Sequence, residues 1–377
     1  MFIDVNFPAD AGFLALRESV RTFLRGEIDR GAFKPTTNSW MVFDREFSGR
    51  CGEAGFVGLA IPGVYGGAGR SLAERHVVFE ELLAAGAPVG SHWIADRQSS
   101  LQLLRSGRDR LKRKLLPRIA TGRCSFAIGM SEADVGSDLA SVRARATKVN
   151  GGWELTGTKL WSTNAHRADY MIALFRTSPL DGDRHKGLTQ FVIDLSRGGV
   201  VARPMPNLAG DMDFCEVAFD GYIARDDEVL GEPGDGWKLV MQELVSERSA
   251  PDRYLSTFAL LSEAVRRGAG QDDMACEIGR LISRLSTLQA MSLSVAKGIS
   301  AGRRMDLEAL IVKDIGTHFE QEVPESVRRM LGARACRESD DALEASLAEA
   351  VLYAPSFSLR GGTREILRGI IASTVRK

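Results

Sequence analysis

Residues 126–138 combine hydroxyl side chains with a glycine in a pattern that suits the binding of a phosphate or a polar ring. The segment reads FAIGMSEADVGSD and carries the hydroxyls of Ser131 and Ser137 next to Gly136. A glycine lets backbone N–H groups come close to an anion or a heterocycle. Taken alone, the segment is also typical of an ordinary turn.

Residues 157–164, with the sequence GTKLWSTN, place an indole and a hydroxyl two positions apart. Trp161 precedes Thr163 by two residues, so on a regular strand both side chains point to the same side. An indole for stacking beside a hydroxyl for hydrogen bonding suits a flat ring with polar edges. An ordinary strand remains the alternative interpretation of this segment.

Three regions of different character must position these residues. Apolar residues recur at helical spacing before and after a central region of short β-branched and aromatic runs, which glycine-containing turns separate. We therefore expect an α+β protein with an N-terminal helical domain (residues 1–122), a central β-barrel domain (123–230) and a C-terminal helical bundle domain (231–377). Strands and helices do not alternate, which excludes the usual dinucleotide-binding folds.

Composition narrows the functional classes. Lys and Arg together number 49, as do Asp and Glu, so no overall field draws the protein to nucleic acid or to an anionic membrane. The five cysteines include no C-x-x-C pair, and the five histidines are scattered; we expect reduced thiols and no metal site. The chain begins without a signal-like pattern and holds no apolar run of about 18 residues. A cytoplasmic protein without a membrane segment is the expectation.

The two segments together resemble the signatures T-E-P-x-x-G-S-D and G-x-K-x-W-x-T-N of the acyl-CoA dehydrogenase family, at similar separation. Further similarities follow in the same order along the chain. They are PGVYGG at 62–67, LGEPGDGW at 230–237, Glu247-Arg248 and GTREI at 362–366. The resemblance implies a helical N-terminal domain, a central β-barrel and a C-terminal four-helix bundle, with FAD between barrel and bundle.

The resemblance also implies site residues when it is carried over position by position. Ser131 would bond the pyrimidine side of the flavin, Trp161 would lie against its dimethylbenzene edge, and Thr163 would donate to N5. The implied cofactor-binding residues are Ile128, Met130, Ser131, Gly136, Ser137, Trp161, Ser162, Thr163, Thr363 and Glu365. The implied substrate-binding residues are Ser137, Ser246, Arg248, Gly361 and Gly362. Ser131 and Ala133 replace the family's threonine and proline, but the hydroxyl is kept.

Removal of two hydrogens across the Cα–Cβ bond of a thioester requires a base for the α-proton, and a carboxylate shielded from water is suited to this role. Many members of the family supply it from a C-terminal E-G-T, where this chain has Gly361-Gly362-Thr363. Long-chain and isovaleryl members use the glutamate of an E-R pair, which matches Glu247-Arg248 here. The alternative is that Glu243 and Glu247 form a solvated helix face and that Arg248 is a surface charge.

Two family motifs that complete the FAD site, R-x-x-F-G and Q-x-x-G-G-x-G, are absent from the relevant regions, residues 266–273 and 340–344. Members of this kind resemble the heterotetrameric acyl-CoA dehydrogenases of bacterial sterol degradation, as does the run at 247–256. The implied partners are an acyl-CoA substrate, electron-transfer flavoprotein or a similar acceptor, and either copies of this chain or a homologous chain, as a tetramer.

Three functional hypotheses follow. The first is an FAD-dependent acyl-CoA dehydrogenase that forms a trans-2-enoyl-CoA, alone or as one subunit of a heteromer, with Glu247 as the base. The second is an oxidase or monooxygenase of the same fold. The third is a flavin-less, non-catalytic partner that binds acyl-CoA, for which Glu247 would face solvent.

Overall fold

The computed structural model describes residues 11–179, 182–268, 272–332 and 334–376. Its α-helices are α1 (Ala11–Asp29), α2 (Arg45–Glu53), α3 (Leu72–Ala84), α4 (Gly90–Ile94), α5 (Ser100–Ser106), α6 (Asp109–Ala120), α7 (Gly236–Arg248), α8 (Phe258–Gly268), α9 (Asp272–Ser300), α10 (Asp306–Leu331), α11 (Ala342–Phe357) and α12 (Arg364–Val375). None of the helices in the described ranges is both long and apolar enough to cross a membrane.

The described residues fall into two compact units. One contains those within 1–42, 71–89 and 245–377, and is called the helical unit below; the other contains residues 43–70 and 90–244, and is called the sheet unit. The N-terminal helices are therefore shared between them. Helices α1 and α3 belong to the helical unit, whereas α2 and α4 to α6 belong to the sheet unit.

One sheet forms the centre of the sheet unit. Its strands are β1 (Phe126–Gly129), β2 (Arg145–Val149), β3 (Gly152–Thr163), β4 (Tyr170–Arg176), β5 (Leu188–Asp194), β6 (Val200–Met205), β7 (Phe214–Arg225) and β8 (Val229–Leu230). The strand order is β6-β7-β3-β2-β4-β5-β8, and β1 pairs with β4 in parallel. Turn glycines separate the strands because a positive φ is needed there; Gly151, between β2 and β3, has a φ of 77°.

The sheet curves around an apolar core. Strands β5 and β7 are not neighbours in the sheet, yet the backbone N–H of Asp194 donates to the hydroxyl of Tyr222 at 2.9 Å. The rings of Phe175 on β4 and Phe219 on β7 meet edge to face at 5.0 Å. Side chains from distant strands therefore share one interior, as they do in a barrel.

The helical unit is a bundle in which the long helices α9 and α10 pack against each other and α3 packs on α9. Buried ion pairs join its sequence-distant parts. Glu80 of α3 accepts hydrogen bonds from Arg17 of α1 and, at 2.8 Å, from the hydroxyl of Tyr254. Burial would raise the pKa of Glu80, but its interactions with His76 and Arg17 lower it to about 2.

The expected fold class is confirmed: helices, then a curved sheet, then a helical bundle follow one another along the chain. Periodicity of apolar residues was the signal, because it follows directly from which face of each element is buried. The boundaries between the three domains stay a prediction.

Candidate active site

A buried ion pair joins the two segments whose chemistry suggested a cofactor site. The carboxylate of Glu132, which follows β1, accepts from Lys159 Nζ at 2.7 Å and from the backbone N–H groups of Arg143 and Ala144 at 2.8 and 3.0 Å. Burial lowers the pKa of Lys159 to about 8, although Glu132 opposes this shift. The pair ties the end of β1 to the strand that carries Trp161.

A backbone hydrogen bond strengthens the connection. Leu160 N donates to the carbonyl of Ser131 at 2.9 Å. Ile128, Met130 and Ser131 are half-buried beside this contact, whereas Gly136 and Ser137 are exposed. A Cβ added at Gly136 would meet no atom within 4 Å. The loop that carries these two residues is therefore accessible to a ligand.

Trp161 occupies a β-bulge. The pairing of β3 with β7 shifts register between Lys159 and Ser162, and Trp161 has a φ of 60°. The regular strand expected at Trp161 and Thr163 is therefore interrupted, because the extra residue of a bulge breaks the alternation of faces. The indole is 60% exposed and packs edge to face on Phe214 at 6.0 Å. The bulge thus presents the indole to solvent at the end of a strand.

The two residues after the indole are placed differently from each other. Ser162 is fully buried, and its Oγ has no hydrogen-bond partner among the described residues. Thr163 is half-buried at the end of β3. An accessible indole, an adjacent hydroxyl and an unsatisfied buried oxygen fit a flat ring with polar edges, so the residues present are compatible with a flavin.

Glu247 lies in the last turn of α7, with its two carboxylate oxygens in different surroundings. The side chain is 13% exposed. Oε1 accepts a hydrogen bond from Arg253, whereas the buried Oε2 has no hydrogen-bond partner within the described ranges. The alternative in which Glu247 faces bulk solvent is wrong. One oxygen of the carboxylate is left available to accept a proton.

Gly361 makes room for this carboxylate. Its φ is 69°, and a Cβ there would lie 2.6 Å from Oε2 of Glu247. The carbonyl of Gly361 accepts from Nε of Arg248 at 2.9 Å, and a Cβ at Gly362 would lie 3.4 Å from an Arg248 guanidinium nitrogen. The structure therefore brings the pair Glu247 and Arg248 into contact with the pair Gly361 and Gly362, although more than a hundred positions of sequence lie between the two pairs.

Arg248 is a buried cation and not a surface charge. It is 8% exposed, and burial lowers its pKa although Glu247 opposes this effect. Glu243, one turn earlier on α7, is also buried, and its carboxylate accepts from the amides of Gln98 and Gln102. Glu243 is held by side chains of its own unit, so the solvated helix face considered from sequence does not form.

The remaining predicted residues lie near the start of α12 and in α7. Thr363 is the N-terminal cap position of α12 and is half-buried, Glu365 is exposed in the first turn, and Ser246 is half-buried. Thr363 and Glu365 belong to the helical unit, whereas the residues around Trp161 belong to the sheet unit. The predicted site residues thus form two groups, each assembled within its own unit.

The regions that lack the two FAD motifs hold cations already paired with carboxylates. Arg267 contacts Glu263 at 2.8 Å and Asp341 at 2.6 Å, and Asp341 caps the N-terminus of α11. Arg266 pairs with Glu263 at 2.6 Å. Both guanidinium groups are therefore neutralised within the chain.

Comparison with known proteins decides the family. Models of the acyl-CoA dehydrogenase N-terminal, middle and C-terminal domains match residues 13–123, 127–222 and 234–375. Acyl-CoA dehydrogenase IpdE1 of Mycolicibacterium smegmatis is 30% identical over 352 residues, covering 88% of this chain and 87% of that protein. The chain belongs to the acyl-CoA dehydrogenase family. The predictions of family and enzyme class are confirmed at this level.

Other members of the acyl-CoA dehydrogenase family are similar over most of their length. IpdE1 of Mycobacterium tuberculosis is 29% identical over 338 residues, covering 88% of this chain and 87% of that protein. Among solved structures, the Tcur3481-Tcur3483 steroid ACAD has a TM-score of 0.86 and 25% identity, with 99% of both chains covered. The similarity to a steroid ACAD solved with two named chains agrees with the resemblance seen in the sequence.

Sequence reasoning missed three features of the site: the bulge at Trp161, the Glu132–Lys159 pair and the contact of Arg253 with Glu247. Arg253 lies beyond the end of α7 in a 3₁₀ turn, Pro251–Arg253. Helical periodicity does not extend through such a turn, so the contact had no signal in the spacing. Glu132 in the SEAD segment and Lys159 in GTKLW are evident in the sequence, but a single sequence gives no indication that they form a pair.

Proposed function

We propose that this protein is an FAD-dependent acyl-CoA dehydrogenase that converts an acyl-CoA thioester into the trans-2-enoyl-CoA, with Glu247 as the catalytic base. The observation that carries the proposal is the buried, unpartnered Oε2 of Glu247, which occupies the space left by Gly361. Gly361 stands where many members of the family carry their catalytic glutamate. The carboxylate of Glu247 lies against this glycine and can therefore serve as the base in its place.

Different residues of the proposed site serve proton removal and flavin binding. Glu247 removes the α-proton and holds it on Oε2, while Arg253 keeps Oε1 occupied. When bound, the flavin supplies the acceptor for the hydride that leaves Cβ. Trp161, Thr163 and Ser131 would hold its ring, and Ile128, Met130, Gly136, Ser137 and Ser162 would line the same site. Thr363 and Glu365 are further residues proposed to contact FAD.

The substrate and partner assignments follow from the same family. Ser137, Ser246, Arg248, Gly361 and Gly362 are the residues proposed to contact the acyl-CoA. Because Arg266 and Arg267 are paired within the chain, we propose that a homologous chain completes the FAD site in a heterotetramer. Electron-transfer flavoprotein or a similar protein would reoxidise the flavin, and the cytoplasm is the proposed location.

The decisive experiment is anaerobic addition of an acyl-CoA panel to the purified protein, alone and with a homologous partner chain, while the flavin absorbance is recorded. The wild-type protein should bleach. Glu247→Gln should bind flavin normally and fail to bleach, because the amide cannot accept the α-proton. Glu277→Gln, which removes a carboxylate paired with Arg280 on α9, is the matched control and should bleach like the wild type.

The other outcomes separate the rival functions. Bleaching by Glu247→Gln at the wild-type rate would show that the base lies elsewhere. Rapid reoxidation of the reduced flavin by oxygen would identify an oxidase or monooxygenase. Protein that stays colourless with FAD and with the partner chain would support a flavin-less partner that binds acyl-CoA.

A further inference from the structure

Arg253 is a fully enclosed cation that contacts the proposed base twice. It is 2% exposed. One guanidinium nitrogen, Nη2, donates to Oε1 of Glu247, and Nε donates to the backbone carbonyl of the same residue at 3.1 Å. Two bonds to one residue fix both the position and the direction of the glutamate side chain. The third nitrogen, Nη1, is buried without a hydrogen-bond partner among the described residues.

The backbone that carries Arg253 is itself held in place. A Cβ added at Gly316 of α10 would lie 2.3 Å from the carbonyl oxygen of Arg253, so the helix packs directly on this turn. Arg360 donates to the carbonyl of Asp252 at 2.7 Å and to Oγ of Ser256 at 3.0 Å. The segment therefore cannot move away from Glu247 without breaking these contacts.

We propose that Arg253 is a positioning residue for the base. By occupying Oε1, it leaves Oε2 as the oxygen that receives the α-proton. The inference rests on the proposed role of Glu247 and extends it to a residue outside α7.

Other charges act on Glu247 and must be separated from the effect of Arg253. Arg248 lies on the same helix, Asp252 precedes Arg253, and the described neighbours include Lys313 and Glu320 of α10 and Arg360 before α12. Burial, together with Arg253 and Arg360, lowers the pKa of Lys313 to about 7. A change in kcat that is transmitted through Lys313 would disappear in the Lys313→Met background.

The test compares Arg253→Gln and Arg253→Lys, each also in the Lys313→Met background, by kcat, by KM and by flavin content. Arg253→Gln should lower kcat by about 100-fold, since a misplacement near 1 Å has an effect of this size. KM and flavin content should change little, and Arg253→Lys should restore about tenfold of the lost kcat.

Arg280→Gln is the control, because it removes an arginine paired with Glu277 and Glu322 on α9 and α10, outside the site. A folded, flavin-containing Arg253→Gln with unchanged kcat would overturn the inference. A lower kcat that is accompanied by a changed KM or flavin content, and that lysine does not rescue, would also overturn it, because Arg253 would then be a structural residue. If Arg253→Gln does not fold, Arg253→Lys decides: a wild-type kcat overturns the inference, and a lowered kcat with unchanged KM and flavin content supports it.

Failure of the inference and failure of the proposed function give different results. If Glu247→Gln fails to bleach and Arg253→Gln behaves like the wild type, Glu247 remains the base and Arg253 does not position it. Normal bleaching in Glu247→Gln would show that Glu247 is not the base, whatever the arginine variants show.

Discussion

Replacement of Gly361 by alanine should displace the catalytic carboxylate without disturbing flavin binding. A methyl group at this position would lie 2.6 Å from Oε2 of Glu247, 3.1 Å from Oε1 and 3.2 Å from Cδ, whereas ordinary contact begins at 3.4 Å. The closest pair must therefore separate by about 0.8 Å. Arg253 holds the carboxylate and Arg248 holds the carbonyl of Gly361, so neither side yields freely.

The expected loss follows from this distance. A misplacement of about 1 Å in a reacting group lowers a rate by about 100-fold, so we expect kcat of Gly361→Ala to fall by about that factor. Alanine at a left-handed φ adds strain of about 1–2 kcal/mol, which lowers stability but does not by itself move the carboxylate. The flavin absorbance of the purified variant should match that of the wild type.

The control for strain is Gly332→Ala, at the end of α10. Gly332 has a φ of 58°, and a Cβ there would meet nothing within 4 Å. Gly332→Ala should lose stability from backbone strain alone, Gly361→Ala should lose at least as much, and only Gly361→Ala should lose turnover. Equal activities, measured by anaerobic bleaching and by steady-state turnover, would refute the geometric argument that places Glu247 against Gly361.

Two further predictions concern stability. Glu132→Gln should lower the free energy of unfolding in urea by about 3–5 kcal/mol, because it leaves Lys159 buried beside a neutral partner. The double variant Glu132→Gln/Lys159→Met should regain most of this stability. Equal losses in the single and double variants would argue against the ion pair. Burial lowers the pKa of His92 to about 4 from an ordinary 6.5, while its Nδ1 contacts Ser48 Oγ at 2.8 Å. The unfolded chain therefore binds a proton that the folded chain does not, so stability should fall between about pH 6.5 and 4, by at most about 1.4 kcal/mol per pH unit. His92→Gln should reduce this slope, as measured by denaturation at a series of pH values, and an unchanged slope would assign it to other groups.

The order of helices and strands was readable from the sequence because burial of one face imposes a period on each element. Glu247 and Gly361 were predicted together for a different reason: family motifs link positions that the fold brings into contact. The contact itself, with a Cβ of residue 361 placed 2.6 Å from the carboxylate, depends on how α7 meets the turn before α12. No pattern within either segment encodes that distance.

The unpredicted features share one cause, since each depends on a partner strand or on an irregular turn. The bulge at Trp161 exists because β3 pairs with β7 in two registers, Lys159 with Val217 and Ser162 with Cys215. The sequence of one β-strand does not indicate the register in which it pairs with its neighbour. Arg253 likewise reaches Glu247 from a 3₁₀ turn, where side-chain directions do not follow a simple repeat.

The division of the helical unit between the two ends of the chain has a consequence for biosynthesis. The partly buried Leu16 and the fully buried Val77 are synthesised early, yet Leu293, which packs in the same apolar cluster, leaves the ribosome more than two hundred residues later. During that interval this apolar surface lacks its native cover, and such surfaces favour association between nascent chains. Chaperone demand should therefore be highest before α9 emerges, and fragments truncated within the C-terminal bundle should aggregate more readily than the whole chain.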